Sequence, residues 1–266
     1  MKTVLRLRNL LLFLCLAGTL ACDKNGNINI LSVQDDKNLG LKVSGEIASN
    51  PAQFPLLPEA GNENSYQYIR GLLDKILSSG KLAYRNEFAW EVKIIRDDNT
   101  LNAFCTPGGY IYVYTGLIKY LNTEDELLGV LGHEVAHADL RHTSRQMTRS
   151  YSYETLIQVI TGKQPGTLAQ IAIGLKGLAN SREFETEADN RSVDYLSGTA
   201  YACNGAAGFF EKLNSDNNSA RPPEWLSTHP NPENRISGIN KKAEQLGCNR
   251  TPLNPPSYQN FKNGLL

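Results

Sequence analysis

The run His133-Glu134-Val135-Ala136-His137 places two histidines four residues apart with a glutamate directly after the first. On an α-helix, residues four apart lie on one face, so both imidazoles can reach the same point. This spacing suits two nitrogen ligands of zinc, and the glutamate would stand beside the metal, where it can deprotonate water. The pattern therefore predicts a zinc site with ligands His133 and His137 and with Glu134 as general base.

The flanking residues favour a helix around this motif. Thr123 and Glu126 have the spacing of a capping box, which predicts a helix from Glu124 to about Arg141. Gly132, directly before the first histidine, would let another segment approach the helix closely. The histidine pair is therefore expected to lie on a buried helix.

A catalytic zinc site needs a third protein ligand and an open position. His142 follows His137 by five residues, and on a continuous helix it would lie about 140° around the axis from it. We therefore exclude His142 as a ligand and interpret it as a helix C-terminal histidine that interacts favourably with the helix dipole.

The acidic run 181–189, Ser-Arg-Glu-Phe-Glu-Thr-Glu-Ala-Asp, offers carboxylates from a later helix. Glu185 and Asp189 share one helical face, so Glu185 could bind the metal while Asp189 accepts a hydrogen bond from a ligand histidine. Glu183 and Glu187 lie about 200° around the helix from Glu185 and are expected to face solvent. Residue types alone favour a solvated acidic face over a ligand segment for this run.

Two further segments carry candidate functional residues. Asn102-Ala103-Phe104 precedes the turn sequence Pro107-Gly108-Gly109, and Ser227-Thr228-His229-Pro230 contains another of the four histidines, with Arg235 a few residues later. Together with the motif at 133–137 and the acidic run, these segments resemble the HtpX-like and CAAX-prenyl-protease-like family of zinc peptidases. The resemblance extends over about residues 60–245, and it is strongest to the secreted branch of BepA-like and LoiP-like lipoproteins.

The resemblance implies an α+β fold of the zincin-like, gluzincin type, in which packed helices bearing the site follow a small mixed sheet. It implies Glu185 as the third ligand of one Zn²⁺ per subunit, with Asp189 in contact with a ligand histidine. His229 is expected near the metal, where it either stabilises the oxyanion or occupies the open position in a latent state. Arg235 is expected to orient Asp189 or nearby backbone groups.

The residues before the motif predict three strands. Alternation at 90–96, β-forming residues at 101–105 and 110–114, and the turn between the last two indicate a strand followed by a hairpin. The resemblance places Asn102 and the Ala103 carbonyl at the cleft edge, where they would hydrogen-bond the backbone of an extended peptide. After residue 115 the pattern is helical, with helices near 144–160, 167–179, 180–196, 204–213 and 231–246.

The N-terminus has the layout of a secretory signal peptide. A basic start and an apolar run at 10–16, too short to cross a bilayer of about 30 Å, lead to a lipobox-like Thr-Leu-Ala before Cys22. We predict a signal peptide over 1–21, a lipidated tether and irregular lead-in over 22–60, the metallopeptidase domain over 61–250 and a C-terminal tail over 251–266. Such a protein would be anchored by lipid at Cys22 and face the periplasm or the cell exterior.

In an oxidising compartment, two of the remaining cysteines can pair, and we expect the pair to be Cys203 and Cys248, since Cys105 lies in a segment near the site. With 27 basic and 27 acidic side chains, the chain has no net charge that would favour a nucleic-acid partner. The motif predicts a zinc endopeptidase, and the resemblance implies that it acts in the bacterial cell envelope on unfolded or misassembled proteins in quality control. The alternative is a chaperone-like assembly factor with a latent zinc site.

Overall fold

A computed structural model describes residues 24, 26–161, 166–177, 181–216, 224–229 and 234–265. The predicted signal peptide and the predicted lipidation site Cys22 lie outside the described residues. The described strands are β1 Glu91–Ile95, β2 Ala103–Thr106 and β3 Tyr110–Tyr114. The described helices are α1 Val33–Ala48, α2 Glu63–Leu77, α3 Thr115–Tyr120, α4 Glu124–Asp139, α5 His142–Ser150, α6 Tyr153–Thr161, α7 Thr167–Gly177, α8 Arg182–Leu196, α9 Gly205–Ser215, α10 Glu224–Thr228, α11 Arg235–Leu246 and α12 Pro256–Asn263.

The three strands form one mixed sheet in the order β1-β3-β2. Strand β3 pairs in parallel with β1 and antiparallel with β2, which is joined to it by the hairpin turn at 107–109. The expectation of an α+β chain with a small mixed sheet followed by helices is confirmed.

Successive side chains of a strand point to opposite faces of the sheet. All five residues of β3 are buried, so both faces of the sheet are covered. Ile111 and Val113 of β3 join a core that contains the apolar residues of α2, α4, α8 and α9. Tyr110, Tyr112 and Tyr114 of the same strand point into a second core formed with α1, α6 and α7. Helix α4, which carries the histidine motif, therefore lies on the first face.

Helix α1 corrects the prediction of irregular structure over residues 22–60. Ser32 and Asp35 form a complete capping box at its start, and Leu39, Val43 and Ile47 are buried at helical spacing. A side chain at Gly40 would meet the Pro107 carbonyl oxygen at 1.9 Å, so the glycine allows α1 to pack directly on the β2–β3 turn.

The predicted C-terminal tail over 251–266 is also wrong as a description of that segment. Helix α12 buries Tyr258 and Phe261, and Leu265 is buried just after it. The Tyr258 hydroxyl donates to the Ile118 carbonyl oxygen at 3.0 Å. The core therefore includes residues on both sides of the predicted 61–250 domain. Among the described helices, none is both long and apolar enough to cross a membrane.

Candidate metal centre

Helix α4 is buried along its whole length and is tightly surrounded by α8 and α9. A side chain at Gly132 would lie 2.7 Å from Ser192 Oγ on α8, and one at Gly129 would lie 2.1 Å from the Ala206 backbone nitrogen on α9. The Ser192 hydroxyl donates to the Gly129 carbonyl at 2.9 Å. Both glycines therefore permit the close packing that holds the motif against the two helices.

The N-terminus of α4 differs in one detail from the predicted capping box. Thr123 Oγ1 accepts the Glu126 backbone N–H at 3.3 Å, as expected of an N-cap. The Glu126 carboxylate, however, accepts from the backbone N–H of Asn122 at 2.6 Å instead of that of Thr123. The helix begins where the sequence predicts, with the glutamate reaching one residue further back.

The predicted ligand atoms converge on one point. The Nε2 atoms of His133 and His137 lie 2.9 Å apart, and each lies 3.4 Å from a carboxylate oxygen of Glu185. His229 presents Nδ1 to the same point, 3.3 Å from His133 Nε2 and 3.2 Å from Glu185 Oε1. The four ligand atoms all lie within 4.8 Å of one another. The i, i+4 spacing brings the two α4 histidines together, and packing of α8 on α4 brings the glutamate to them.

Asp189 and Arg235 support two of these groups. Asp189 Oδ1 lies 2.9 Å from His133 Nδ1, as its helical spacing from Glu185 predicts. Arg235 donates from Nη2 and Nε to both oxygens of Asp189, at 2.6 and 2.7 Å, and its Nη1 lies 2.9 Å from Glu185 Oε2. One guanidinium therefore orients the carboxylates of both Glu185 and Asp189.

Trp225 is a site residue that the sequence did not indicate. Its ring stacks on that of His229 with centroids 4.0 Å apart, and it is also 5.5 Å from the ring of His133. The His229 backbone N–H donates to the Trp225 carbonyl at 2.7 Å. Because the two residues are four apart, the helical turn between them orients the His229 ring.

The pKa values of the two glutamates of the site shift in opposite directions. Burial raises the pKa of Glu134 despite the histidines nearby. Burial also favours the neutral form of Glu185, but His229 and His137 outweigh it and hold the pKa of this carboxyl well below its usual range. Environments that separate the pKa values of two carboxyls suit one for proton transfer and the other for binding a cation.

The donor set fits a zinc ion. Three imidazole nitrogens and one carboxylate, all buried, match the ligand types and number of a zinc site. Glu134 Oε1 is buried beside these donors, 3.5 Å from His229 Nε2, and makes no closer hydrogen bond among the described residues. His133, His137 and Glu185 would hold the metal, and His229 faces the fourth position.

Residues 64–243 match the model of a protein family described as Peptidase family M48. The chain belongs to this family. It is 29% identical over 255 residues to a putative beta-barrel assembly-enhancing protease of Vibrio cholerae, covering 88% of this chain and 52% of that protein. It is also 29% identical over 206 residues to the mitochondrial metalloendopeptidase OMA1 of Schizosaccharomyces pombe, covering 73% and 59%. The Escherichia coli beta-barrel assembly-enhancing protease is 28% identical over 196 residues, covering 68% and 39%. The chain thus spans between about two fifths and three fifths of the length of these relatives.

In this M48 domain, strand β2 borders the metal centre. The Tyr114 backbone N–H donates to the Asn102 carbonyl, so the alternate residues Ala103 and Cys105 turn their backbone polar groups away from β3. The Ala103 carbonyl therefore points to the outer edge, as required for pairing with an extended peptide. Asn102 Oδ1 instead accepts from the Ala103 backbone N–H at 2.9 Å and from Thr228 Oγ1 at 3.4 Å, so this oxygen supports the edge.

The metal centre is enclosed. His133, Glu134, His137, Glu185 and His229 are each at most 4% exposed. Helix α7 contacts both β2 and α10. The ligand side chains are therefore shielded from solvent in this structure.

His142 does not end the motif helix, which corrects its interpretation as a C-terminal dipole partner. Helix α4 ends at Asp139, Arg141 adopts a left-handed conformation with φ of 57°, and His142 begins α5. This turn brings His142 Nδ1 to 2.8 Å from His137 Nδ1. The angle of about 140° between His137 and His142 applied to a continuous helix, whereas α4 ends before residue 142.

The two flanking glutamates of the acidic run behave differently. Glu183 is largely exposed, as predicted, with an ion pair to Arg149 at 3.1 Å. Glu187 was expected to face solvent, but its carboxylate lies 3.0 Å from His142 Nε2 and 2.6 Å from Arg145 Nη1. Burial favours the neutral form of Glu187, yet these two partners lower its pKa to about 2.

Cys203 and Cys248 form a disulfide, with Cα atoms 6.3 Å apart. The bridge joins Cys203, in the segment after α8, to Cys248, which directly follows Gly247 at the end of α11. Cys105 is free and buried on β2, and burial raises the pKa of its thiol. The segment closed by the bridge contains both His229 and Arg235.

Proposed function

We propose that this protein is a zinc-dependent endopeptidase of the bacterial cell envelope that hydrolyses unfolded or misassembled proteins. The observation that carries the proposal is the convergence of His133, His137 and Glu185 beside Glu134. The outer edge of β2 at Ala103 supports an extended polypeptide as the substrate, because edge strands pair with such chains. The names of the relatives, proteases that enhance β-barrel assembly among them, support a role in quality control.

The residues around the cleft have distinct tasks in this reaction. Zinc, when bound, supplies a Lewis acid that polarises the scissile carbonyl and acidifies water. Glu134, which directly follows the ligand His133 and lies buried beside His229, takes a proton from water and returns it to the leaving amine. Burial raises the pKa of Glu134, which is the direction that favours a carboxyl that must both accept and return a proton. Asp189 holds His133 in the orientation that binding requires.

The enzyme hypothesis is tested by cleavage of unfolded casein at equal protein concentrations. Wild type is expected to cleave it, whereas Glu134→Gln should bind zinc normally and lose about 10²-fold or more in rate, since general-base catalysis contributes about that much. His133→Ala should lose both zinc and activity. Equal cleavage by wild type and Glu134→Gln would refute the assigned mechanism.

A second function is favoured by the position of His229 and by the enclosure of the site. Its Nδ1 lies among the ligand atoms, which is the arrangement expected if this imidazole fills the fourth position of a latent site. The protein would then act mainly as a chaperone-like assembly factor. If His229 closes the site, His229→Ala should raise casein cleavage; if it stabilises the oxyanion, the same change should lower it. No cleavage of casein by either wild type or His229→Ala would favour the chaperone-like function.

We further propose that the mature protein is exported and anchored to a membrane by lipid at Cys22. The basic start, short apolar run and lipobox-like residues before Cys22 support this. Radiolabelled palmitate should label wild type in cells and not Cys22→Ser. Labelling of both proteins, or of neither, would contradict lipidation at this residue.

A further inference from the structure

His142 contacts one of the proposed metal ligands, His137, and none of the roles above uses this contact. Its ring is 1% exposed, its Nδ1 lies 2.8 Å from His137 Nδ1, and its Nε2 lies 3.0 Å from Glu187 Oε2. The same Glu187 oxygen accepts from Arg145 Nη1 at 2.6 Å. A continuous polar chain thus leads from a ligand histidine to the surface, where Glu187 is half-buried.

Hydrogen bonding allows one arrangement of protons along this chain. His137 turns Nε2 toward the other ligand atoms, so a metal would bind that nitrogen and the proton of a neutral ring must be on Nδ1. This N–H can then donate to His142 Nδ1, which must be unprotonated. The remaining proton of His142 is on Nε2 and donates to Glu187, whose ionised carboxylate only accepts.

The ring of His142 is held in place independently of His137. It stacks on Phe184 of α8 with centroids 4.4 Å apart and an angle of 6° between the planes. Its backbone is placed by the left-handed turn at Arg141, whose guanidinium donates to Asp36 and, at 2.6 Å, to the Leu31 carbonyl. The contact is therefore one that the fold builds from three separate elements, α1, α5 and α8.

We propose that His142 is a positioning residue for metal binding, which accepts the Nδ1–H of His137 and thereby directs His137 Nε2 toward the ion. The inference rests on the proposed zinc site. It assigns to His137 a support equivalent to that which Asp189 gives to His133, but with a neutral imidazole in place of a carboxylate. Outer partners of ligand histidines fix ring orientation and proton position, and losing one weakens metal binding about 10–100-fold.

The test measures zinc dissociation constants of the mature protein, which begins at Cys22, by chelator competition. His142→Phe keeps a flat ring to stack on Phe184 but has no acceptor, and it should bind zinc about 10–100-fold more weakly. His142→Asn places an oxygen near the position of Nδ1 and should recover most of the affinity. His142→Gln, whose amide reaches the position of Nε2 instead, should remain weak. Cobalt(II) spectra should shift in the Phe and Gln variants and remain close to wild type in the Asn variant.

Metal-free unfolding midpoints separate this role from a merely structural one. If His142→Phe unfolds like wild type without metal and binds zinc equally well, the proposal is overturned. If the Phe variant does not fold, the Asn and Gln variants decide, and equal affinity of those two overturns it as well. Absence of zinc binding in wild type would instead refute the proposed metal site itself, and this inference with it.

Discussion

Removing the Cys203–Cys248 disulfide should destabilise the protein by a predictable amount. The bridge spans 45 residues, a segment that contains α9, α10 and α11. Cross-linking a loop of this length removes about 13 cal/mol/K of chain entropy from the unfolded state, or about 4 kcal/mol at 25 °C. The Cys203 backbone N–H also donates to the Asn249 carbonyl at 2.8 Å, so the two ends stay adjacent when the bridge is absent and the folded state changes little.

The assay is urea unfolding of the Cys203→Ala, Cys248→Ala double variant beside wild type, both with chelator. The variant should unfold at lower urea with a somewhat larger m value, because its unfolded chain exposes more surface. Wild type reduced with dithiothreitol should behave like the variant. Cys105→Ala is the matched control, since it removes a buried thiol that closes no loop, and it should cost only about 1 kcal/mol.

A loss below about 1 kcal/mol in both the double variant and the reduced wild type would refute this reasoning. That result would mean that the unfolded chain already holds the two ends together. A loss well above 4 kcal/mol would point to damage in the folded state, which binding of zinc should then reveal, since His229 and Arg235 lie inside the closed segment.

Three further predictions follow from packing, metal linkage and charge. Gly129→Ala should destabilise the protein by about 1–3 kcal/mol in urea unfolding, because the new methyl would meet the Ala206 backbone nitrogen. Gly45→Ala, which has open space around it, should be neutral or stabilising. Equal effects of the two changes would contradict the role of close packing at Gly129. Zinc at about 1,000 times its dissociation constant should stabilise the metal-free protein by about 4 kcal/mol in calorimetry. An unchanged unfolding temperature would contradict a folded metal site. The pKa of Glu187 is lowered to about 2, so its charge stabilises the folded state above about pH 4.5, its usual pKa, and this contribution is lost as the pH falls toward 2. Acid titration followed by circular dichroism should therefore show a shallower loss of stability for Glu187→Gln over that window, and identical slopes would contradict the assignment.

Much of the site could be predicted because it depends on repeating local geometry. The pairs His133 with His137 and Glu185 with Asp189 follow from residues four apart on one helix face, whichever way the helices pack. Helix α1 also left a local signal that the prediction missed. Its capping box at Ser32 and its buried residues at helical spacing were obscured by glycines, of which Gly40 is required by the β2–β3 turn.

Other features were decided only by contacts between distant segments. The position of His142 depends on the left-handed turn at Arg141, a residue type that does not itself predict such a turn, and partners on α1 and before it hold that residue there. The contact of the Trp225 ring with His133 and the ion pair of Arg235 with Glu185 require α10 to lie beside α4 and α11 to pack on α8.

The amino-acid sequence by itself determined the histidine pair with Glu134 beside it, the β2–β3 hairpin and the helical remainder, because each depends on spacing within a single segment. The tertiary structure decided which groups face each histidine. It assigns a carboxylate to His133 and an imidazole to His137, and it encloses them all. The physical reason is that a hydrogen bond between distant segments depends on the placement of both backbones, which the packing of the whole chain sets.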